Sequence, residues 1–217
     1  MEEELEKYQK LLEMSEEKRK IIALKKNIKI ENIKWYDIIK FVETYEDIKI
    51  QPLPKNMDEL TSTNYGLYGI TIRNKKSFIL YNNKTIKERQ NFTIMHEIAH
   101  CILHDNKKTE TYTSLIIENE YSEEDLIKEK EANMLAGMLL INKKILITLL
   151  HEKKPFNYLK KYFNVSAKAL DTALFNHFYF QTIAQILNEE KAIDKPYIYC
   201  RKTINNYRYN NHQLIIK

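Results

Sequence analysis

The chain has 217 residues, a formal net charge of +5, 43% hydrophobic residues, two cysteines and three glycines. That is enough apolar content for a core and enough length for one domain with appended segments; two cysteines exclude a disulfide framework. No apolar run reaches the roughly 20 residues needed to span a bilayer, and the charged, acidic start is unlike a secretory leader. Lys, Ile and Asn are abundant, as an AT-rich coding sequence would give, so the mild basicity is weak support for a nucleic-acid partner. Few glycines predict a mostly helical chain with few tight turns.

Residues 1–26 carry dense charge and a thin apolar stripe of Leu5, Tyr8, Leu11, Leu12, Ile21 and Ile22. They read as a helical extension, solvated with some packing. Residues 31–46, around Trp35, Ile38, Ile39, Phe41 and Val42, read as a helix packed on a sheet. Ile48–Gln51 reads as a short strand ended by Pro52 and Pro54. Residues 67–73 and 77–82 alternate as a hairpin does, with Asn74, Lys75 and Lys76 as its turn.

Next comes a helix start, with Thr85 and Glu88 at capping-box spacing. Phe92, Met95, Ala99, Ile102 and Leu103 repeat at helical spacing, and Ile94 and Ile98 widen the stripe, so this helix is expected to be largely buried. It carries His96-Glu97-Ile98-Ala99-His100, an H-E-x-x-H motif. Residues i and i+4 share a helix face, so both histidines can hold one metal ion from the same side. Glu97 falls beside that face. Two imidazoles, a carboxylate and an open fourth position suit catalytic zinc, with Glu97 as general base. Two histidines and a glutamate on a buried helix would be costly without partners, and a metal removes that cost. The alternative is a surface helix with an accidental match.

Residues 105–121 are expected to be a loop bordering a cleft, where the threonines and Tyr112 stand equally for substrate contact or for plain surface. A second helix then opens with Ser122 and Asp125 at capping-box spacing. Ala132, Leu135, Ala136 and Leu139 form its apolar face, and the small alanines allow close approach to the first helix. Glu129 is the expected third ligand. Asn133, one turn on, is expected to bond a ligand side chain and fix its orientation. Glu131 is the rival and points elsewhere; Glu129 as a plain solvated carboxylate is the alternative.

Residues 156–180 read as two packed helices joined at Asn164-Val165-Ser166, with Ser166 as N-cap. A DNA-reading second helix would need exposed basic residues, and only Lys168 is offered. Residues 196–217 interleave Tyr197, Tyr199, Tyr207 and Tyr209 with Arg201, Lys202 and Arg208. Such mixtures can stack on single-stranded nucleic acid, but an ordinary exposed hairpin is the expectation. Cys101 lies about 100° round the helix from His100 and is expected to be a buried small hydrophobe.

The run from Arg89 to His104, the segment Glu129-Lys130-Glu131-Ala132-Asn133 with its following Leu139-Leu140 pair, the strands at 66–72 and 78–82, and Leu159–Ser166 together resemble the ImmA/IrrE family of metallo-endopeptidases. The resemblance covers roughly residues 30–180. Asn142 departs from it, because relatives usually carry proline after the Leu-Leu pair; this touches a helix end rather than the chemistry. The resemblance implies an α+β, zincin-like metalloprotease domain, mostly helical with a small antiparallel sheet. It implies Zn2+ held by His96, His100 and Glu129, with Glu97 catalytic. It also implies a cytoplasmic bacterial or phage-encoded endopeptidase that cuts a protein, typically a DNA-binding transcriptional repressor of a mobile element or stress response. The expected organisation is an N-terminal helical extension (1–29), the zincin-like domain (30–155), a helical tail packed on the core (156–185) and a basic, tyrosine-rich extension (186–217).

No residue is singled out as the oxyanion donor; His104, His151, Tyr112 and Tyr121 are candidates. His104 continues the face of His96 and His100, and supporting roles are favoured over ligation, because a fourth protein ligand would close the position catalysis needs. The alternative function is a non-catalytic, metal-stabilised regulator that binds a repressor or DNA. A toxin-like protease is not separable from the leading reading by sequence.

Overall fold

The computed structural model describes residues 1–54, 68–73, 76–103, 111–114, 122–188 and 192–210. The chain divides into two compact units, one of Lys18–Leu140 and one of Met1–Glu17 with Ile141–Lys217.

The first unit holds a four-stranded sheet. Its strands are β1 (Ile48–Pro52), β2 (Gly69–Arg73), β3 (Ser77–Tyr81) and β4 (Thr111–Ser114), in the order β1-β3-β2-β4. β2 and β3 form the expected hairpin, with Ile70 opposite Leu80. The sheet is mixed rather than purely antiparallel, because β1 runs parallel to β3, with Ile50 opposite Ile79. β2 falls between them in the chain and runs antiparallel to β3, so it carries the chain back and lets β3 run parallel to β1. The stretch read as a loop between the H-E-x-x-H helix and the Glu129 helix includes β4, which pairs with β2. Thr111, Tyr112 and Thr113 are strand-favouring residues, and the edge of β2 gives them a ladder.

Three helices accompany this sheet: α2 (Trp35–Tyr45), α3 (Lys87–Leu103) and α4 (Glu123–Leu140). α2 starts where the buried carboxylate of Asp37 accepts from the Lys34 backbone at 2.9 Å and pairs with Lys26. α4 starts where the Ser122 hydroxyl accepts from Asp125 N at 3.2 Å, as its capping spacing predicted. α3 begins two residues beyond Thr85, whose hydroxyl donates to the Asn82 carbonyl at 3.1 Å. The lead-in to α3 is tied by Gln90, whose amide donates to Thr85 O at 2.6 Å and Asn83 O at 3.0 Å. Every residue from Thr93 to His100 is buried. α3 packs along α4, and Ala99, Ala132 and Ala136 have no exposed surface. Side chains this small let two backbones approach closely.

The C-terminal carbonyls of α4 have no partners within their own helix. Arg19 supplies one from α1 (Glu2–Lys26): its guanidinium donates to Leu139 O at 2.5 Å and Met138 O at 3.4 Å, and to Ile33 O at 3.5 Å. The buried stripe of α1 is Tyr8, Leu11, Ser15, Arg19, Ile22 and Ala23, so the helix is packed along its length, while Ile21 is exposed. Arg19→Ala is expected to cost about 2–4 kcal/mol of stability, since it strips charge-assisted hydrogen bonds from buried carbonyls and leaves a hole. Chemical denaturation of the variant measures this, and a loss under about 0.5 kcal/mol, the ordinary surface value, would refute it.

The second unit adds α5 (Lys143–His151), α6 (Phe156–Phe163), α7 (Ala167–Leu187) and α8 (Pro196–Asn210). Asn142 caps α5, its side chain accepting from Lys144 N at 2.9 Å and Ile145 N at 3.2 Å. Asn164, at φ 53°, closes α6 in the left-handed region, and Ser166 caps α7 by accepting from Ala169 N at 3.1 Å. With so few glycines, the left-handed positions fall to Asn27, Asp47, Lys153 and Asn164. The tyrosine-rich tail is a helix over its described part, not a hairpin. Cys200, Ile204 and Tyr207 are its buried stripe, and the Tyr207 hydroxyl donates to Lys154 O at 2.5 Å. Arg201 lies 4.0 Å from the Phe175 ring centre and pairs with Asp171 at 3.1 Å. Among the described residues no single helix is long and apolar enough to cross a membrane.

His177 on α7 is only 7% exposed. Burial, helped by the nearby charge of Lys143, pushes its pKa down to about 4. The unfolded chain takes up this proton below about pH 6.5 and the folded chain only near pH 4, so the group destabilises the fold as pH falls through that window. The difference corresponds to about 3 kcal/mol. His177→Gln is expected to remove that part of the acid loss, measured as the pH dependence of unfolding free energy. An unchanged profile between pH 6.5 and 4 would overturn the assignment.

Candidate metal centre

α3 and α4 bring three donor groups to one point. His96 Nε2 lies 3.0 Å from His100 Nε2 and 3.2 Å from Glu129 Oε2, and His100 Nε2 lies 3.0 Å from Glu129 Oε1. The histidines meet because four residues make just over one turn, and the rings cross edge to face at 82°. Both rings are buried and Glu129 is half-buried. Glu131 is not in this cluster; Glu129, one helical face away, is.

The electrostatics follow from crowding. Burial lowers the pKa of His96, but hydrogen bonds to Glu129 and Asn133 and the charges of Glu97 and Glu129 outweigh it, so the net direction is up. Burial likewise favours the neutral acid at Glu129, yet hydrogen bonds from His100 and His96 hold its carboxyl down at about 2. Bonds of about 2.1 Å to a tetrahedral zinc would set ligand atoms about 3.4 Å apart, so the observed spacing is close to that of a metal's donor set. Two imidazoles and one carboxylate are also donors of the right chemical kind for a borderline divalent ion. The three residues fit a metal ion.

Glu97 follows His96 and has no exposed surface. It turns towards β2, where the hydroxyl of Thr71, also fully buried, donates to its Oε2 at 2.6 Å. Below the other oxygen stands Gly69. A Cβ at that position would come within 2.8 Å of Glu97 Oε1 and 2.6 Å of Thr93 Cγ2, closer than real contacts allow. Gly69 and Thr71 thus share one face of β2, while Ile70 and Ile72 on the other pack with Leu53 and Leu80.

Of the remaining expectations, Asn133 lies close enough to His96 to contribute to its upward shift, but its side chain is exposed. His104 and Tyr121 lie outside the described residues, as does the side chain of Tyr112; its backbone stands opposite Thr71 in register. His151 ends α5 in the other unit and is exposed. Cys101 is half-buried rather than buried. In the sequence alone Thr71 and Gly69 are strand residues and nothing more. The usable signal was the glycine itself, since Gly inside a strand marks a close approach.

No curated protein matches the chain. The family model described as the IrrE N-terminal-like domain, peptidase M78, matches residues 44–175, which include β1 to β4, the H-E-x-x-H helix, the Glu129 helix and most of α7's first half. The two metal-directed histidines, the adjacent glutamate and the Glu129 helix all fall inside that match, and the chain belongs to this metallopeptidase-type family.

Proposed function

We propose that the chain is a zinc-dependent endopeptidase that hydrolyses one peptide bond in a specific protein. The observation that carries this reading is the convergence of His96, His100 and Glu129 within 3.0–3.2 Å beside a fully buried Glu97. His96, His100 and Glu129 would hold the zinc. Bound there, zinc polarises the scissile carbonyl and acidifies a water towards a pKa of about 7. Glu97 takes a proton from the attacking water and delivers it to the leaving amine, the ordinary work of a general base that becomes a general acid. Asn133, one turn beyond Glu129 and near His96, would help to orient that ring. A buried helix face around the carboxylate keeps bulk water from competing for its proton.

The substrate in this reading is a DNA-binding repressor of a phage, mobile element or stress response, and the site of action is the cytoplasm. Family membership supports the protein substrate class; the repressor is our own extension. Mapping new protein N-termini across the native host, with and without DNA-damaging stress, tests it in wild type against Glu97→Gln. New termini that need Glu97 and cluster in one DNA-binding protein are the expected result. Their absence, from protein that is folded and zinc-loaded, would overturn the endopeptidase reading.

A further inference from the structure

We propose that Thr71 is a positioning residue for Glu97: it clamps one carboxylate oxygen and aims the other at the water to be deprotonated. This rests on the reading of Glu97 as general base. Burying a carboxylate is costly unless donors meet it, and Thr71 Oγ1 meets Oε2 at 2.6 Å with both residues fully buried. The donor is well anchored. Thr71 sits in the middle of β2, paired with Ile79 of β3 on one side and Tyr112 of β4 on the other. A β-branched side chain on a strand has little χ1 freedom, so the hydroxyl direction is set by the ladder.

The neighbouring position completes the device. Gly69 presents no side chain beneath Oε1, where a Cβ would intrude to 2.8 Å. The strand therefore offers a donor to Oε2 and room to Oε1, two residues apart on one face. In the reaction an O–H bond of water breaks and its proton passes to Glu97, the water oxygen bonds the carbonyl carbon, and the proton then moves to the nitrogen as the C–N bond breaks. Thr71 keeps its own proton throughout. A carboxylate free to rotate would spend much of its time turned away from that water, and a misplacement of about 1 Å in such a group can cost about 100-fold.

The test uses cobalt(II)-loaded full-length protein titrated with acetohydroxamic acid, followed by the visible absorption of cobalt. The hydroxamic acid binds as its anion, and the proton it releases needs a correctly aimed base. Wild type, Thr71→Val, Thr71→Ala, Thr71→Ser and Glu97→Gln are compared, with circular dichroism and cobalt affinity measured on each. Thr71→Val and Thr71→Ala are expected to bind hydroxamate at least about tenfold more weakly, with cobalt affinity unchanged, while Thr71→Ser stays within about threefold of wild type. Wild-type affinity in whichever of Thr71→Val and Thr71→Ala folds, alongside weakening in Glu97→Gln, would overturn the role of Thr71 alone. Full affinity in Glu97→Gln, or no cobalt bound by wild type, would overturn the underlying reading instead. Equal weakening in Thr71→Ser would make the hydroxyl irrelevant and also defeat the inference.

Discussion

Glu97→Gln is expected to lower peptide-bond cleavage by about 10²–10⁴-fold while the fold and the bound metal persist. The substitution is close to isosteric, and the amide oxygen still accepts from Thr71, so the buried hydrogen bond at 2.6 Å has a successor. What disappears is the proton acceptor. The metal-directed trio of His96, His100 and Glu129 is untouched, because Glu97 is not a member of it. Single-turnover rates on the substrate found by terminus mapping, with metal content measured on the same samples, check both halves. A variant that cleaves at the wild-type rate would exclude Glu97 as the base.

Glu129→Ala is expected to weaken zinc binding by about 100- to 1000-fold, on the footing that structural zinc sites bind with about 10–16 kcal/mol shared over four ligands. The loss has two sources. One donor is gone, and the two imidazoles then stand 3.0 Å apart with no anion between them. The negative charge of Glu129, which raises the pKa of His96 in the empty trio, is lost as well, so the cation of the metal faces two neutral rings alone. Competition with a chromophoric chelator gives the affinity. Unchanged affinity would shift the third ligand away from α4 and undo the proposed donor set.

Much of the centre was legible because helix chemistry is local. H-E-x-x-H spacing puts two rings on one face whatever surrounds them, and the Ser122 cap and the alanine face of α4 announced a second helix that could lie close. The Gly-poor composition announced helix overall. Three features were not legible for a common reason: they depend on partners far away in sequence. The parallel edge β1 exists only because β3 leaves a side open. β4 is four residues long and reads as loop until β2 stands beside it. Thr71 acquires its meaning from a carboxylate 26 residues later. The tail departs from its expected hairpin for a different reason. Alternating tyrosines suggested a strand, but Pro196 at a helix's first position and Cys200, Ile204 and Tyr207 at helical spacing were the better signals. Asn142 shows how a departure from a family pattern is absorbed. Its φ of −62° is one proline would adopt, and its side chain caps α5 instead.

The two faces of β2 have a bearing on how this chain can change over generations. Arg73 pairs with Ser77, so three residues connect β2 to β3. A strand that slips by one position exchanges its faces. Here that would slide Ile70 beneath Glu97 and turn Thr71 into the apolar layer of Leu53 and Leu80. Connection length between these strands is therefore a chemical variable as much as a geometric one. Insertions and deletions there should be purged among active descendants even where single substitutions in the same connection are tolerated.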